Sequence, residues 1–398
     1  MPDDVPGPAE EKGGEEGKGA AEPAGSDAEE DGFGPPRIMV GIFNIPETIR
    51  TLSGLGVAKT KINPAQGLLM GWQAVVYLAF AAFLAWMIMA YVSVDVSVGL
   101  GKFLAFGVFG FSALGLVILY GSNLVTGDYM TGGLAMMTQR SRWREVLWEW
   151  TITHAGHWIG GFVIAWMIVI GAAQAGPIGS TMMEVLQDIG TTKVHDLTWE
   201  QLFYRGIFAN WLIAMGVWGA FRAKDTVGRL LLIGIPVSIF FAIGFEHSIV
   251  NHFALSAGIW AGADYTWGEA WFNNLVPVTL GNIIGAMIFQ GMVYWYVSGM
   301  QVWTGPGRWK KPHGTYRDLA KAVRDTWTLM IFFVAMAPLA AGVLFLYVVE
   351  PALGIAAGYG NNDNWIEPVG IMIYLVITAL AVKWTMMRRW QWWKVPPE

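Results

Sequence analysis

The sequence has no cysteine and few charged residues, and each shortage excludes a class of protein. Cysteine is absent from all 398 residues, which excludes a disulfide framework, a thiolate metal site and a cysteine nucleophile. Charged residues make up 14% of the chain, against about 25% in soluble domains. With 54% hydrophobic residues, this balance excludes a soluble globular enzyme and indicates a polytopic membrane protein. The net charge of −5 gives no indication of nucleic-acid binding.

Residues 1–36 differ in composition from the rest of the chain. They contain eleven acidic residues and two lysines, with many glycines and prolines and almost no large apolar side chains. Such a segment cannot bury enough apolar surface to offset the entropy lost on ordering. We therefore predict a disordered acidic tail over 1–36. It lacks the basic start and apolar core of a signal peptide.

Long apolar runs recur from about residue 68 onward. A run of about 20 apolar residues can cross a bilayer as a helix. Two runs are interrupted, the second near Gly121 and the fifth near Gly244. The eight predicted spans are 68–93, 103–122, 152–174, 206–221, 230–259, 275–299, 328–349 and 368–387.

The distribution of positive charge predicts the orientation in the membrane. Nineteen of the 25 Lys and Arg residues fall in one alternating set of connecting segments. The opposite segments hold only Lys102, Lys193 and Arg205. Because cytoplasmic loops carry an excess of Lys and Arg, both termini are predicted to be cytoplasmic.

Two pairs of short motifs indicate an internal repeat. The spans are interrupted by GSNLVTG at 121–127 and by GFEHS at 244–248. They are followed by GHWIGG at 156–161 and GNIIGA at 281–286, after separations of 35 and 37 residues. An odd number of spans per repeat inserts the halves with opposite topology. Inverted repeats with broken helices favour a transport pathway near the bilayer midplane, although chance similarity between glycine-rich helices is the alternative.

Glu246 and His247 are ionisable residues at the break in the fifth span. Charge inside a membrane is costly, so such residues usually have a function. Since histidine titrates near neutral pH, His247 is predicted to attract an anion, donate a proton to it and recover that proton. The alternative is a hydrogen-bonded structural histidine. Glu246 is predicted to satisfy freed backbone donors or to orient a neighbour such as Asn210.

Four further residues are candidates for the pathway. Thr126, at the matching break in the second span, can face the same cavity or cap the second half-helix. Phe240 and Leu124 can form apolar constrictions that strip water from an ion, or can be ordinary packing residues. Lys193 would concentrate anions at a pore mouth, or would be a solvated loop lysine.

The histidines also allow a different hypothesis. Pairs of membrane histidines ligate haem in electron-transfer proteins, and His154, His157, His247 and His252 are available. His154 and His157 share a helix face, but no second span pairs cleanly with both. The sequence has no phosphate-binding loop, so nucleotide-driven pumping by this chain is not expected.

Four motifs, in order over residues about 40–300, resemble those of the formate/nitrite transporter family. The strongest is GFEHSIVN at 244–251, which is similar to the family's signature around its central histidine. The others are GSNLVTG at 121–127, RGIFANWL at 205–212 with Lys193 upstream, and NLVPVTLGNIIG at 274–285.

The resemblance implies an all-α integral membrane fold, an aquaporin-like six-helix inverted repeat with broken second and fifth helices. Two extra C-terminal transmembrane helices would follow it. The resemblance further implies a homopentamer in a bacterial or archaeal plasma (inner) membrane, with a pore in each protomer. Small monovalent anions would pass, linked to protons, with no cofactor and no enzymatic activity. Formate and nitrite come first; hydrosulfide, acetate and lactate remain open.

The resemblance also implies roles for single residues. His247 would be the proton-exchanging centre and Thr126 its polar partner, while Lys193 would draw the anion into the vestibule. Apolar rings would raise the cost of the charged form, so a proton from His247 would let a weak acid cross but not chloride. The residues implied to line or support the pathway are His247, Thr126, Phe240, Leu124, Leu114 (or Leu116), Lys193, Asn210, Glu246, Asn282 and His157.

Three features depart from the family pattern, and the largest is that residues 301–398 have no counterpart in the family. Asn123 stands where the family commonly has an acidic residue, and His157 stands where an asparagine is expected, as the repeat partner of Asn282.

The predicted organisation is a tail over 1–36, a channel domain over 37–300 and an extension over 301–398 with two spans. The extension could line the oligomer, bind an unknown membrane partner or regulate the pore. It also suggests a non-conducting subunit of a larger membrane complex as a further alternative.

Overall fold

The computed structural model describes residues 41–174 and 179–310, together with Ala320 and Arg324. The predicted acidic tail and the predicted spans 328–349 and 368–387 lie outside the described residues.

The described part consists of two helical halves followed by a short hairpin. The first half contains α1 Ile45–Lys59, α2 Pro64–Asp95, α3 Val98–Leu119, α4 Val125–Met137 and α5 Trp143–Ile168, which continues as a π-helical turn over Val169–Ala173. The second half begins with α6 Gly179–Thr191, a π-helical turn Thr192–Asp196, α7 Trp199–Arg222, α8 Thr226–Ile243 and α9 Ser248–Ala261. Its last helix runs from Trp267 to Val297 and comprises α10 Trp267–Glu269, α11 Val276–Ile284 and α12 Val293–Val297, with π-helical segments Ala270–Leu275 and Gly285–Met292 between them. Strands β1 Val302–Gly305 and β2 Arg308–Lys310 pair antiparallel.

Five of the described helices are long and apolar enough to cross a membrane. They are Pro64–Ser93, Val98–Leu119, Trp143–Ala173, Thr226–Ile243 and Trp267–Val297. The predicted fourth span, 206–221, lies in α7, which carries three charged residues and is more polar. The predicted starts at 152 and 275 were wrong: these helices begin at Trp143 and Trp267. Their first turns are rich in Trp and Glu, which lowers the local hydropathy.

Both predicted interruptions are present. Helix α3 ends before Gly121 and helix α8 ends before Gly244, whose φ angles are +76° and +80°. A residue with a side chain rarely adopts this left-handed conformation, so glycine permits the chain to leave the helix there. Each half therefore consists of a full helix, a broken helix and another full helix.

Matched glycines bring the full helices of each half into close contact. A Cβ at Gly156 of α5 would lie 2.2 Å from the Leu68 carbonyl oxygen of α2. A Cβ at Gly281 of α11 would lie 2.2 Å from the Phe203 carbonyl oxygen of α7. Only glycine allows backbones to approach this closely. The same crossing occurs in both halves, as an internal repeat requires.

One shorter helix precedes the first long helix of each half, and neither of these two helices was predicted. Helix α1 packs on α4, and α6 packs on α9. Asn44 and Glu47 form a capping box at the start of α1. The segment between the predicted spans 152–174 and 206–221, which holds Lys193, is not a plain connecting loop, since it contains α6. Helix α1 ends at Lys59, and α6 ends two residues before Lys193.

The hairpin is attached to the ends of α1 and α4. The Arg140 guanidinium lies 5.5 Å from the Trp309 ring centroid and 5.9 Å from that of Trp303, which are favourable cation–π distances. The Trp303 amide donates to the Thr138 carbonyl at 3.0 Å, and Arg50 donates to Gln301 at 3.0 Å. The beginning of the C-terminal extension is therefore bound to the first half.

Candidate functional site

The two helix breaks meet in the interior, where Thr126 contacts His247. Thr126 lies in the first turn of α4, and His247 is the N-cap residue of α9. The Thr126 Oγ1 and His247 Nε2 atoms are 2.9 Å apart, and both residues are buried. Sequence analysis placed them at matching breaks; the structure brings them into one hydrogen bond.

The hydrogen bonds determine where His247 carries its proton. The Val250 amide donates to His247 Nδ1 at 3.3 Å, so Nδ1 has no hydrogen. A neutral ring then carries its proton on Nε2 and donates it to the Thr126 hydroxyl. His247 is thus a hydrogen-bonded helix cap and also presents a proton at the centre. Thr126 does not cap its own half-helix, because the N-cap of α4 is Leu124 and no side-chain cap bond forms there.

Asn210 and Asn282 hold the two breaks together. Asn210 donates to the carbonyl oxygens of Thr126 at 3.0 Å and Asn282 at 2.7 Å. Asn282 accepts from the Ser248 amide at 2.9 Å and donates to the carbonyl oxygens of Gly206 and Glu246. Asn282 therefore satisfies the Ser248 amide and the Glu246 carbonyl at the second break, while Asn210 links the start of α4 to α11.

His157 performs in the first half what Asn282 performs in the second. The Val125 amide donates to His157 Nε2 at 3.0 Å, and His157 Nδ1 lies 2.7 Å from the Gly71 carbonyl oxygen. A carbonyl only accepts, so Nδ1 carries the proton and the ring is neutral. Both ring nitrogens are engaged, which makes His157 a support of the break at Leu124.

The apolar candidates surround the centre at different positions. Leu124 and Phe240 are each 3% exposed, and the Phe240 ring centroid is 6.0 Å from that of His247. Phe109, which sequence analysis did not single out, packs edge-on against Phe240 at 5.7 Å. Leu114 is buried where α3 meets α7, 3.3 Å from where a Cβ at Gly216 would lie.

Lys193, which is partly buried, and Glu246, which is buried, form an ion pair. Lys193 Nζ donates to the Glu246 oxygens at 2.8 Å and 2.7 Å. Asn251 donates to Glu246 at 2.6 Å and to Asn274 at 2.7 Å, and Asn274 donates back to the Lys193 carbonyl at 3.0 Å. The expectation that Glu246 orients Asn210 was wrong: its carboxylate binds Lys193 and Asn251. We call these four residues the Lys193 network.

A corresponding set, the Lys59 network, lies in the first half and was not predicted. It comprises Lys59, Asn123, Asp128, Glu149 and Thr153. Lys59 pairs with Asp128, while Glu149 Oε1 accepts from Asn123 at 2.9 Å and from Thr153 at 3.0 Å. The sequence feature that could have indicated this network is the presence of acidic residues within otherwise apolar helical segments. Asn123 occupies the position in the first half that matches Glu246 in the second. The first half therefore has no acidic residue at that position, and the acidic residues of this network are Asp128 and Glu149.

His154 and His252 form a separate buried pair, with their Nε2 atoms 3.0 Å apart. Haem iron bound between them would hold the nitrogens about 4 Å apart, twice a metal–imidazole bond of about 2.0–2.1 Å. The observed spacing is that of a hydrogen bond. Among the described residues, no group of three or more potential metal ligands occurs. The arrangement does not fit the haem hypothesis.

Known proteins resemble this chain over the same region. The family model for the formate/nitrite transporter matches residues 46–296. A probable formate transporter of Methanothermobacter thermautotrophicus is 32% identical over 262 residues, covering 63% of this chain and 95% of that protein.

Solved structures agree with this match. A channel described as an FNT family ion channel has a TM-score of 0.57 at 25% identity, over 63% of this chain and 98% of its own. A pentameric formate channel with formate bound has a TM-score of 0.50 at 25% identity, over 59% of this chain and 97% of its own. Together with the two broken helices, these matches show that the chain belongs to the formate/nitrite transporter family and has its aquaporin-like membrane fold.

Proposed function

We propose that this protein conducts small monovalent weak-acid anions, with formate and nitrite first, and exchanges a proton with them at His247. The observation that carries the proposal is the Thr126–His247 hydrogen bond between the N-termini of two half-helices. Helix N-termini carry partial positive charge and attract anions. The pentameric formate channel among the structural relatives supports this choice of substrate.

The mechanism follows from the contacts at the centre. An anion near Thr126 meets a hydroxyl that is hydrogen-bonded to His247 Nε2. The ring becomes a proton donor when Nδ1 takes a proton from water in the pathway and releases the Val250 amide. The imidazolium then passes its Nε2 proton through Oγ1 to the anion, and the ring returns to its neutral form. A neutral acid then crosses the apolar residues Leu124 and Phe240 without the desolvation cost of an ion. A chloride ion cannot take the proton and keeps that cost.

We also propose the assembly and placement of the chain. The pentameric relative supports a homopentamer. Helix α8 exposes large apolar side chains along its length, including Val227, Leu231, Ile235 and Ile239, as a surface facing lipid or a neighbouring protomer does. The Lys and Arg distribution supports cytoplasmic termini. A bacterial or archaeal plasma membrane and a partner for 301–398 remain proposals from sequence.

Stopped-flow flux in proteoliposomes tests the proposal with matched variants. We expect saturating, pH-dependent flux of formate and nitrite but not chloride. His247→Asn keeps a good helix cap but removes the exchangeable proton, so its flux should lose the pH response. Thr126→Val should lose flux, whereas Thr126→Ser keeps the hydroxyl and should retain it. Wild-type flux above that of empty liposomes is required; its absence in a well-folded pentamer would favour a non-conducting subunit.

A further inference from the structure

The Lys59 network lies beside a pocket that reaches the membrane-spanning helices. The pocket is lined by residues from α1, α2, α5 and the connecting loops, among them Lys59, Asn63, Asn123, Trp148, Glu149 and Thr153. Asp128 lies behind it and is fully buried, and Glu149 is 8% exposed. Of the two acidic residues in this network, Glu149 therefore borders the pocket and Asp128 is enclosed.

If both carboxyl groups are ionised, one of their oxygen atoms is left without a hydrogen-bond donor. Glu149 Oε1 accepts from Asn123 and Thr153, and Asp128 Oδ1 accepts from Lys59. Asp128 Oδ2 is buried without a hydrogen-bond donor. The charge of each carboxyl group acts on the other. Since two carboxylates cannot donate to one another, a hydrogen bond between them requires that one is protonated.

The charges around the pair lead to the same result. The titratable groups that face it are Lys59 from α1, the neutral phenol Tyr129 from α4, and the two carboxyls themselves. One lysine compensates one carboxylate. A second buried negative charge without a partner is strongly unfavourable, and carboxyls that share a site resolve this by sharing a proton.

The Lys193 network provides an internal comparison. It has one lysine and one carboxylate, and amides stand at the positions that match the two acids: Asn251 matches Asp128, and Asn274 matches Glu149. Amide hydrogens there make the contacts that a proton would have to make in the first half. The two halves thus have the same order of helices and breaks, but only the first needs an extra proton.

We propose that Asp128 and Glu149 share one proton and form a second proton-exchange site, at the pore mouth opposite the Lys193 network. The proton lies on Glu149 Oε2 and is donated to Asp128 Oδ2. This extension rests on the proposed anion transport: a weak-acid anion entering beside Glu149 takes that proton, so the O–H bond breaks at Glu149 and forms on the anion. Lys59 compensates Asp128 alone, so the uncompensated Glu149 carboxylate takes a proton back from solvent in the pocket.

Infrared difference spectroscopy of the full-length pentamer tests the shared proton independently of transport. Wild type at neutral pH should show the carbonyl stretch of a protonated carboxylic acid, shifted in D2O. Glu149→Gln and Asp128→Asn should each remove it, whereas Glu184→Gln, at an exposed position on α6, should keep it. A spectrum that neither network variant changes overturns the proposal.

Formate flux separates this proposal from the proposed function. Glu149→Gln keeps the hydrogen bonds of the protonated pair, so it should fold, yet flux should fall about tenfold, or 1.4 kcal/mol in barrier, with a flattened pH profile. If wild type conducts formate and Glu149→Gln has the same flux and pH profile, the second exchange site is overturned, while the proposed transport through His247 stands. A protonated-carboxyl band without any formate flux supports the shared proton but overturns transport.

Discussion

Separating Lys193 from Glu246 should destabilise the protein more than any exposed charge change. The Lys193 side chain is 17% exposed and that of Glu246 4%. Breaking a buried ion pair by removing one partner costs about 3–5 kcal/mol. In Lys193→Met, Glu246 Oε1 loses its donor while Oε2 keeps Asn251. Because the pair is not fully enclosed, we expect the lower end of that range, about 3 kcal/mol.

The double variant should recover part of this loss. In Lys193→Met with Glu246→Gln, no uncompensated charge is buried, and the amide still reaches Asn251. Glu246→Gln alone should cost about 1–2 kcal/mol, because the lysine it leaves can turn toward water. The pairwise coupling from the cycle should then be about 2–3 kcal/mol.

Thermal unfolding of the detergent-solubilised pentamer measures this cycle. A loss of about 3 kcal/mol corresponds to roughly 6–12 °C in apparent Tm, at 2–4 °C per kcal/mol for a domain of this size. Lys102→Met, at an exposed lysine, is the control and should leave Tm unchanged. The reasoning is refuted if Lys193→Met behaves like Lys102→Met, or if the double variant shows the sum of the two single losses.

Three further predictions concern the scaffold. His157→Asn should unfold within about 1 kcal/mol of wild type, since an amide can make both bonds as Asn282 does, whereas His157→Leu leaves the Val125 amide unsatisfied and should cost about 1–3 kcal/mol in the same assay. Gly281→Ala should lower pentamer yield and Tm by overpacking the crossing at 2.2 Å, whereas Gly107→Ala, with nothing within 4 Å, should not. Arg140→Ala removes two cation–π contacts with the hairpin, so limited proteolysis should cut within 302–310 faster than in wild type.

The helix breaks were predictable because their signals are local. Gly121 and Gly244 stand where apolar runs stop and resume, and each is followed by polar residues that an intact membrane helix would not carry. The repeat of these motifs placed Thr126 and His247 at equivalent positions. Inverted symmetry then suggested that they lie near each other, which the 2.9 Å contact bears out.

The charged networks were not predictable in the same way. Lys59 reaches Asp128 across 69 residues, and Lys193 reaches Glu246 across 53. Sequence shows neither distance, and α1 and α6 are too short to resemble membrane spans. Glu149 lies in the polar first part of α5, which hydropathy excluded from the helix. These pairings arise from tertiary packing, which local pattern does not specify.

The comparison of the two halves explains why one histidine serves both. Leu124 and His247 are the N-cap residues of the two half-helices, so the symmetric backbone offers two equivalent places for a titratable group. Only the second is occupied by one. The Leu124 position instead supplies an apolar side chain, and its break is supported by a ring, His157, whose nitrogens are both engaged. A second central histidine at 124 would face His247 across the same space, where two positive charges would repel. Placing the further proton on carboxyls of the Lys59 network, away from the centre, avoids that repulsion.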